Sequence, residues 1–261
     1  MDYVFSLDGD RATATPHAAG PWDPTMQHGG APSALVARAA ERFPAERPMR
    51  VARMTVDLMR PVPVGVLDIE TEVLREGRKI QLLQIRLSSG GKECVRASVL
   101  KLREELQDLP DHPGFRPLEL AAPAEDAPRS DGFGGGQGFG SGMSAKIVRG
   151  DWGRPGAAAV WFRAERPMVR GEETTPVMRA ALTADFSNGV SSVLDFQQWT
   201  FINGDLSVHF ARDPVGEWIL LDAETWVGDS GGALACCRLA DRNGYFGRAV
   251  QSVLVERRKP A

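Results

Sequence analysis

HGGAPSALVARAAERF, residues 28–43, reads as a helix that begins at its own glycines. Two glycines followed by Pro32 at a first-turn position mark a helix start, because proline's fixed φ and missing N–H cost nothing there. Alanines dominate the segment, with Leu35, Val36 and Phe43 as its larger apolar residues. A helix this slim suits close packing inside a curved sheet better than service as an outer amphipathic layer. On its C-terminal side the period of the pattern changes to two. VARMTVDLMRPVP (51–63), LDIETEVLREG (67–77), KIQLLQIRLSSGG (79–91) and ECVRASVLKLR (93–103) are strand-like runs, separated by Pro-Val-Gly, Glu-Gly and Gly-Gly turns. On its N-terminal side, FSLDGDRATAT (5–15) reads as a hairpin about Asp8-Gly9-Asp10. Residues 1–103 therefore predict hairpin, helix and four antiparallel strands.

Residues 104–142 break the pattern, with five prolines and then DGFGGGQGFGSG (131–142), a composition that predicts a linker or loop. No Gly-Lys-Ser/Thr accompanies these glycines, so they do not read as a phosphate loop. From residue 143 the order repeats: strand-like SAKIVRG and AAAVWFRAERP, the Ala-rich helix TTPVMRAALTADFSNG (174–189), then five further strand-like runs to Arg258. Pro-Val-Gly recurs at 63–65 and 214–216, D-x-E-T-x-V at 68–73 and 222–227, and Arg-Ala at 96–97 and 248–249. Together these predict two copies of one α+β unit, 1–103 and 143–261, joined by a 104–142 linker.

Composition narrows the function classes. A formal net charge of -3 over 261 residues gives no electrostatic case for nucleic acid or an anionic membrane. The longest apolar runs are too short to span a bilayer, and MDYVFSLDGD lacks the regions of a signal peptide. Cys94 and the adjacent Cys236 and Cys237 have neither disulfide-framework nor zinc-site spacing. The expectation is a cytoplasmic protein without metal or cofactor.

One acid stands out. Asp185 sits near the end of an apolar helix, before a stop expected at Asn188-Gly189. Helix C-termini carry partial negative charge, so a carboxylate there is misplaced by a few tenths of a kcal/mol. Its bland reading is a C-terminal turn with Ser187, Asn188 and Gly189. Asn203-Gly204, between two strand runs, is a hairpin-turn signal in its own right. Gln251 shares a strand face with Ala249 and Val253, and a half-buried amide there needs a partner.

An Ala-rich helix begun by His-Gly-Gly and followed by an antiparallel meander resembles a hotdog domain. Two tandem copies resemble the double-hotdog acyl-CoA thioesterases, the thioesterase II-like family. The resemblance is strongest over A-D-F-x-N-G, W-x-F-I-N-x-D-L-x-V-H, V-G-E-W, D-x-E-T and G-R-A-x-Q, all within residues 175–257. It implies a double hotdog, two antiparallel sheets each wrapping a central helix, that hydrolyses acyl-CoA to free CoA and a carboxylic acid. It further implies a catalytic water held by an aspartate, a threonine and a glutamine. In this chain those positions fall on Asp185, Asn203 and Gln251, with asparagine replacing the threonine. Backbone N–H groups at a helix N-terminus suit a developing oxyanion, which makes His28, Gly29 and Gly30 the candidates for the thioester-carbonyl side. Asn203 leaves a non-catalytic acyl-CoA-binding protein as an alternative. An enoyl-CoA hydratase is a further one, although the second helix offers no histidine. Further homo-oligomeric assembly follows from the sheet edges expected at the outer strands.

Overall fold

The computed structural model describes residues 2–108, 110, 117–123, 138–150 and 154–258. The glycine-dense stretch read as linker lies outside the described residues over 131–137. The predicted hairpin is present as β1 (Phe5–Asp8) and β2 (Arg11–Ala14), with Gly9 at φ +57° in its turn. The helix is α1 (Gly30–Arg42), and the four runs after it are β3 (Met49–Leu58), β4 (Val66–Arg75), β5 (Ile80–Ser89) and β6 (Lys92–Arg103). The remaining elements are β7 (Met143–Arg149), β8 (Ala158–Ala164), α2 (Pro176–Ala184), α3 (Ser187–Ser191), β9 (Trp199–Asn203), β10 (Asp205–Phe210), β11 (Trp218–Val227), β12 (Gly232–Asp241) and β13 (Gly244–Arg257).

All described strands join one antiparallel sheet of 13 strands in the order β1-β2-β4-β5-β6-β3-β10-β13-β12-β11-β8-β7, with β9 on β13. The reading of two separate sheets is corrected here: β3 and β10 pair antiparallel from Arg53–His209 to Asp57–Asp205 and fuse the halves. Pairing satisfies two rows of backbone groups that would otherwise form exposed edges. The far edge is covered too. Val4 N and Phe5 N donate to Pro167 O and Met168 O, and Arg170 N donates to Phe5 O. The sheet thus curls round until its first strand meets the segment that follows β8.

Strand order on either side of the β3–β10 seam is mirrored, and so is the register. Val56 lies opposite Ala97 as Val208 lies opposite Ala249. Both halves carry a one-residue bulge at the same place. Ala52 is skipped between the Val51–Lys101 and Arg53–Leu100 pairs. Likewise, Asn203 pairs with Val253 while Ser207 pairs with Val250, leaving one extra residue on the Asn203 side. The hairpin expected at Asn203-Gly204 is therefore a bulge within one kinked strand: β9 and β10 both run against β13. A bulge re-aims a side chain, and Asn203 uses this one.

The inner face of the sheet encloses the helices. Ala31, Ala34, Leu35, Val36, Ala37 and Ala40 of α1 are buried, as are Ala180, Ala181, Leu182 and Ala184 of α2. The two helices run antiparallel. Gly30 at the start of α1 abuts the Leu182 carbonyl near the end of α2, where a Cβ on Gly30 would lie 2.8 Å from that oxygen. At the other end Thr175 Oγ1, the α2 N-cap, donates to Glu41 Oε2 at 2.6 Å. Thr175 also accepts from Met178 N, and Pro176 opens the first turn, so the start of α2 follows the expected capping chemistry.

Candidate active site

The helix expected over 174–189 is broken in two, and the acid sits at the break. Asp185 is the C-cap of α2, at φ -68° and ψ -17°. The chain then turns into α3 rather than stopping at Asn188-Gly189. The antiparallel packing resolves the electrostatic oddity: the carboxylate at the negative end of α2 lies against the positive N-terminus of α1. A Cβ built on Gly29 would come 2.8 Å from Asp185 Oδ1 and 2.9 Å from Oδ2. Only glycine leaves room for this approach, which gives Gly29 a steric reason to be there.

Three side chains from three other segments converge on this carboxylate. Asn203 Nδ2 donates to Oδ1 at 3.0 Å, and Gln251 Nε2 donates to the same oxygen at 3.0 Å. His28 Nδ1 lies 2.9 Å from Oδ2, with side-chain exposures of 14% for His28 and 2% for Asp185. Both amides have their orientation assigned by the acid, because flipping either would set oxygen against oxygen. All six residues expected at the site lie in this cluster. Gly30 stands slightly apart in function: its N–H points at His28 Nδ1, 3.1 Å away, whereas the Gly29 N–H carries no hydrogen bond among the described residues.

Asp185, His28, Gly29 and Asn203 form part of the wall of a cleft of about 1130 Å³. Gln251, fully buried, stands behind the acid. Leu58, Met59, Val62, Phe201 and Ile202 supply apolar wall, and Arg60, Arg154 and Arg258 also line the cleft. Its two other carboxylates are turned into their own loops. Asp23 accepts from Thr25 N and Oγ1, which holds its carboxyl below the usual range, and Asp195 accepts from Gln197 N.

Two residues of the site escaped the sequence reading. Phe139 belongs to the stretch predicted as linker, yet its ring stacks on His28 at 5.1 Å between centroids, and Phe186 lies 4.4 Å from His28 and 6.1 Å from Phe139. Asn188 was read as a helix stop. It lies in α3, is buried, lines the cleft and has an Oδ1 with no partner among the described residues. Its spacing of three from Asp185 was the available signal, since residues three apart share a helical face. His209 is exposed on β10 and alternates with the buried Val208 and Phe210, so it faces away. Among the described residues no His/Cys/Asp/Glu group has the arrangement to hold a metal, and no helix is long and apolar enough to cross a membrane.

Set against known structures, the chain has the hotdog fold. A hotdog-fold protein of unknown function from Alicyclobacillus acidocaldarius superposes with a TM-score of 0.75 at 16% identity, covering 100% of this chain and 98% of that one. An acyl-CoA thioesterase II from Mycobacterium marinum gives 0.67 at 17% identity over 98% and 95%. The 12:0-ACP thioesterase of Umbellularia californica gives 0.53 at 9% over 94% and 93%. By sequence, residues 18–102 match the acyl-CoA thioesterase N-terminal domain and residues 117–255 the acyl-CoA thioesterase C-terminal domain. The chain belongs to the acyl-CoA thioesterase family, a family of thioester hydrolases. No curated protein matches it in sequence at a significant level.

Proposed function

We propose that the protein hydrolyses acyl-CoA thioesters to free CoA and a carboxylic acid, using water activated by the Asp185 carboxylate. The observation that carries this reading is the convergence of Asn203, Gln251 and His28 on one buried acid at the wall of a large cleft. Donors from separate elements hold the carboxylate in one orientation, which is the preorganisation that a proton acceptor needs. As water attacks the thioester carbonyl, the proton leaves toward Asp185 and negative charge builds on the carbonyl oxygen. The unpaired Gly29 N–H at the α1 N-terminus is the donor suited to that charge. Collapse breaks the C–S bond, and the departing thiolate takes up the proton. The apolar wall suits an acyl chain, and Arg60, Arg154 and Arg258 suit the phosphates of CoA.

In this reading residues 1–103 and 143–261 are two hotdog units, and only the second is catalytic. Val51 and Val99 occupy the register positions of Asn203 and Gln251 in the first unit, so that half lacks the amides. Outward-facing Trp226, Val250 and Leu254 are exposed, which supports assembly into a homo-oligomer. A cytoplasmic location fits the free thiols.

Acyl-CoAs from short to long chain, with a thiol reagent following CoA release, test the reading. Turnover of at least one chain length by the wild type and its loss in Asp185→Asn are expected. Two other outcomes would replace it. Tight acyl-CoA binding without turnover would mark a binding protein, for which Asn203 in the threonine position is the motive. Hydration of crotonyl-CoA, seen as loss of enoyl absorbance, would mark a hydratase, a reading that gains from His28 lying beside Asp185.

A further inference from the structure

We infer that Asn188 is a second donor to the thioester carbonyl, its amide joining the Gly29 N–H at the oxygen on which charge builds. The inference rests on the thioesterase reading above and adds to it a residue that touches substrate. Asp185 remains the group that activates water.

One buried amide at the cleft is left without partners. Among the described residues, three buried polar side chains line the cleft: Asp185, Asn188 and Ser192. Asp185 accepts from Asn203 and Gln251. Ser192 is closed on Leu194, donating to its carbonyl and accepting from its N–H. Asn188 is 4% exposed, and its side chain makes no hydrogen bond among the described residues. Buried polar groups are normally paired, and an unpaired one carries its full desolvation penalty. A molecule in the cleft is the partner that the fold itself does not supply.

The open end of this amide is its nitrogen. Oδ1 is shut away from solvent without a partner, whereas Nδ2 is not among the buried unpaired atoms. The reverse orientation would bury two N–H donors in place of one acceptor. Orphaned N–H groups are rarer in proteins than under-satisfied carbonyls. Asn188 therefore presents donors, not an acceptor, to the cleft.

The amide also stands beside the acid. The break after α2 is small: Asp185 keeps helical angles, Phe186 sits at φ -79° and ψ 2°, and Val190 N donates to Phe186 O. Residues three apart in such winding share a face, with Cβ atoms about 5–6 Å apart. The space next to Asn188 is clear, since a Cβ on Gly189, which also lines the cleft, would meet nothing within 4 Å. Gly29 borders the same carboxylate, and its N–H is free among the described residues. Asp185 is thus bordered by one free donor from α1 and another from α3.

These two donors suit the reaction. The water oxygen bonds to the thioester carbon, its proton passes to Asp185, and the carbonyl π electrons move onto oxygen. Gly29 N–H and Asn188 Nδ2–H donate to that oxygen through bonds that strengthen as its charge grows. A neutral amide does so without placing another charge beside the acid. On collapse the electron pair re-forms the C=O bond, the C–S bond breaks, and the thiolate takes the proton from Asp185.

The experiment compares Asn188→Leu and Asn188→Ala with the wild type in acyl-CoA hydrolysis and in thermal melts. Leucine is close to asparagine in size and removes the unpaired amide, so Asn188→Leu should melt at or above wild type. A fall in kcat of about 100-fold is expected, the order for loss of one preorganised donor, with KM little changed. A readout independent of turnover is the ¹³C shift of a carbonyl-labelled ketone analogue of acyl-CoA, with methylene in place of sulfur. Its carbonyl should move downfield on binding to wild type and lose most of that shift in either variant. A folded variant that holds kcat within about threefold of wild type overturns the assignment. So does a ketone shift unchanged by the substitutions, or activity that falls only in step with Tm. Absence of CoA release by the wild type overturns the thioesterase reading itself, and the ketone shift alone then decides whether Asn188 meets the carbonyl oxygen.

Discussion

Gly29 and Asp185 are so close that a single methyl group cannot fit between them: a Cβ on residue 29 would stand 2.8 Å and 2.9 Å from the two carboxylate oxygens. The crossing of α1 and α2 is set by this contact and by the similar one between Gly30 and the Leu182 carbonyl. Gly29→Ala should therefore displace the acid from its donors. A misplacement of about 1 Å can cost about 100-fold in rate, and that loss in kcat/KM is expected here. A fall in Tm of a few degrees, as for about 1 kcal/mol in a domain of this size, should accompany it. Gly30→Ala meets backbone rather than side chain and should lower Tm further. Activity assays and thermal melts on the two variants give the check.

Asn203 supplies one of the two amides on Oδ1, and asparagine stands where the thioesterase resemblance implies threonine. Either residue offers a donor, so the donor is what the site requires. Asn203→Leu should lose about 100-fold in kcat, the order seen when a preorganised donor is removed. Asn203→Thr should lose less than about tenfold, because its hydroxyl can donate to the same oxygen. Equal losses in the two variants would assign Asn203 to shaping the bulge instead.

How much of this was legible in the sequence follows from the range of the forces involved. Strands, helices and turns rest on local periodicity and glycine placement, and the described runs formed strands and helices where expected, except that the helix of 174–189 breaks at Asp185 into α2 and α3. Asp185, Gln251, His28, Gly29 and Gly30 were legible as chemistry. Their convergence was not, because it depends on α1 and α2 crossing antiparallel. The Asn203-Gly204 pair has a local preference for a tight turn, but both flanking strands pair with β13, and that long-range ladder overrides it. Phe139 was hidden because it belongs to a glycine-dense segment and acquires its role only through contact with His28. The fusion of two sheets into one rests on β3 meeting β10 across some 150 positions of sequence, and no local pattern encodes that.

The three thiols bear on how activity is measured. Burial pushes the Cys237 thiol up to about 12, so its thiolate fraction near pH 8 is on the order of one in ten thousand. Cys94 is buried as well, and Cys236, half-buried, is also shifted upward by desolvation. Ellman-type titration of the native protein should therefore show slow, substoichiometric labelling, with all three cysteines reacting in denaturant. Cys237→Ser should leave kcat unchanged, since the chemistry proposed requires no thiol.

Glu41 gives a prediction on stability that is independent of catalysis. It lies at the C-terminal end of α1, accepts from Thr175 Oγ1, and burial raises its pKa above the ordinary value of 4.5, with Asp213 adding to the rise and Arg42 and Lys101 opposing it. A carboxyl whose pKa is higher folded than unfolded binds its proton more tightly in the native state. Its contribution to stability is therefore fully present below the unfolded value and is lost as pH rises through the folded one. Above that window the wild type carries a buried charge that is only partly compensated. Glu41→Gln keeps an oxygen to accept from Thr175 and removes the charge. The variant should melt a few degrees above wild type at neutral pH, and the difference should shrink as pH falls toward 4.5 and vanish below it. Paired melts across that range decide the matter. A variant less stable than wild type at neutral pH would mean that the Glu41–Thr175 bond depends on the negative charge, outweighing the cost of burying it.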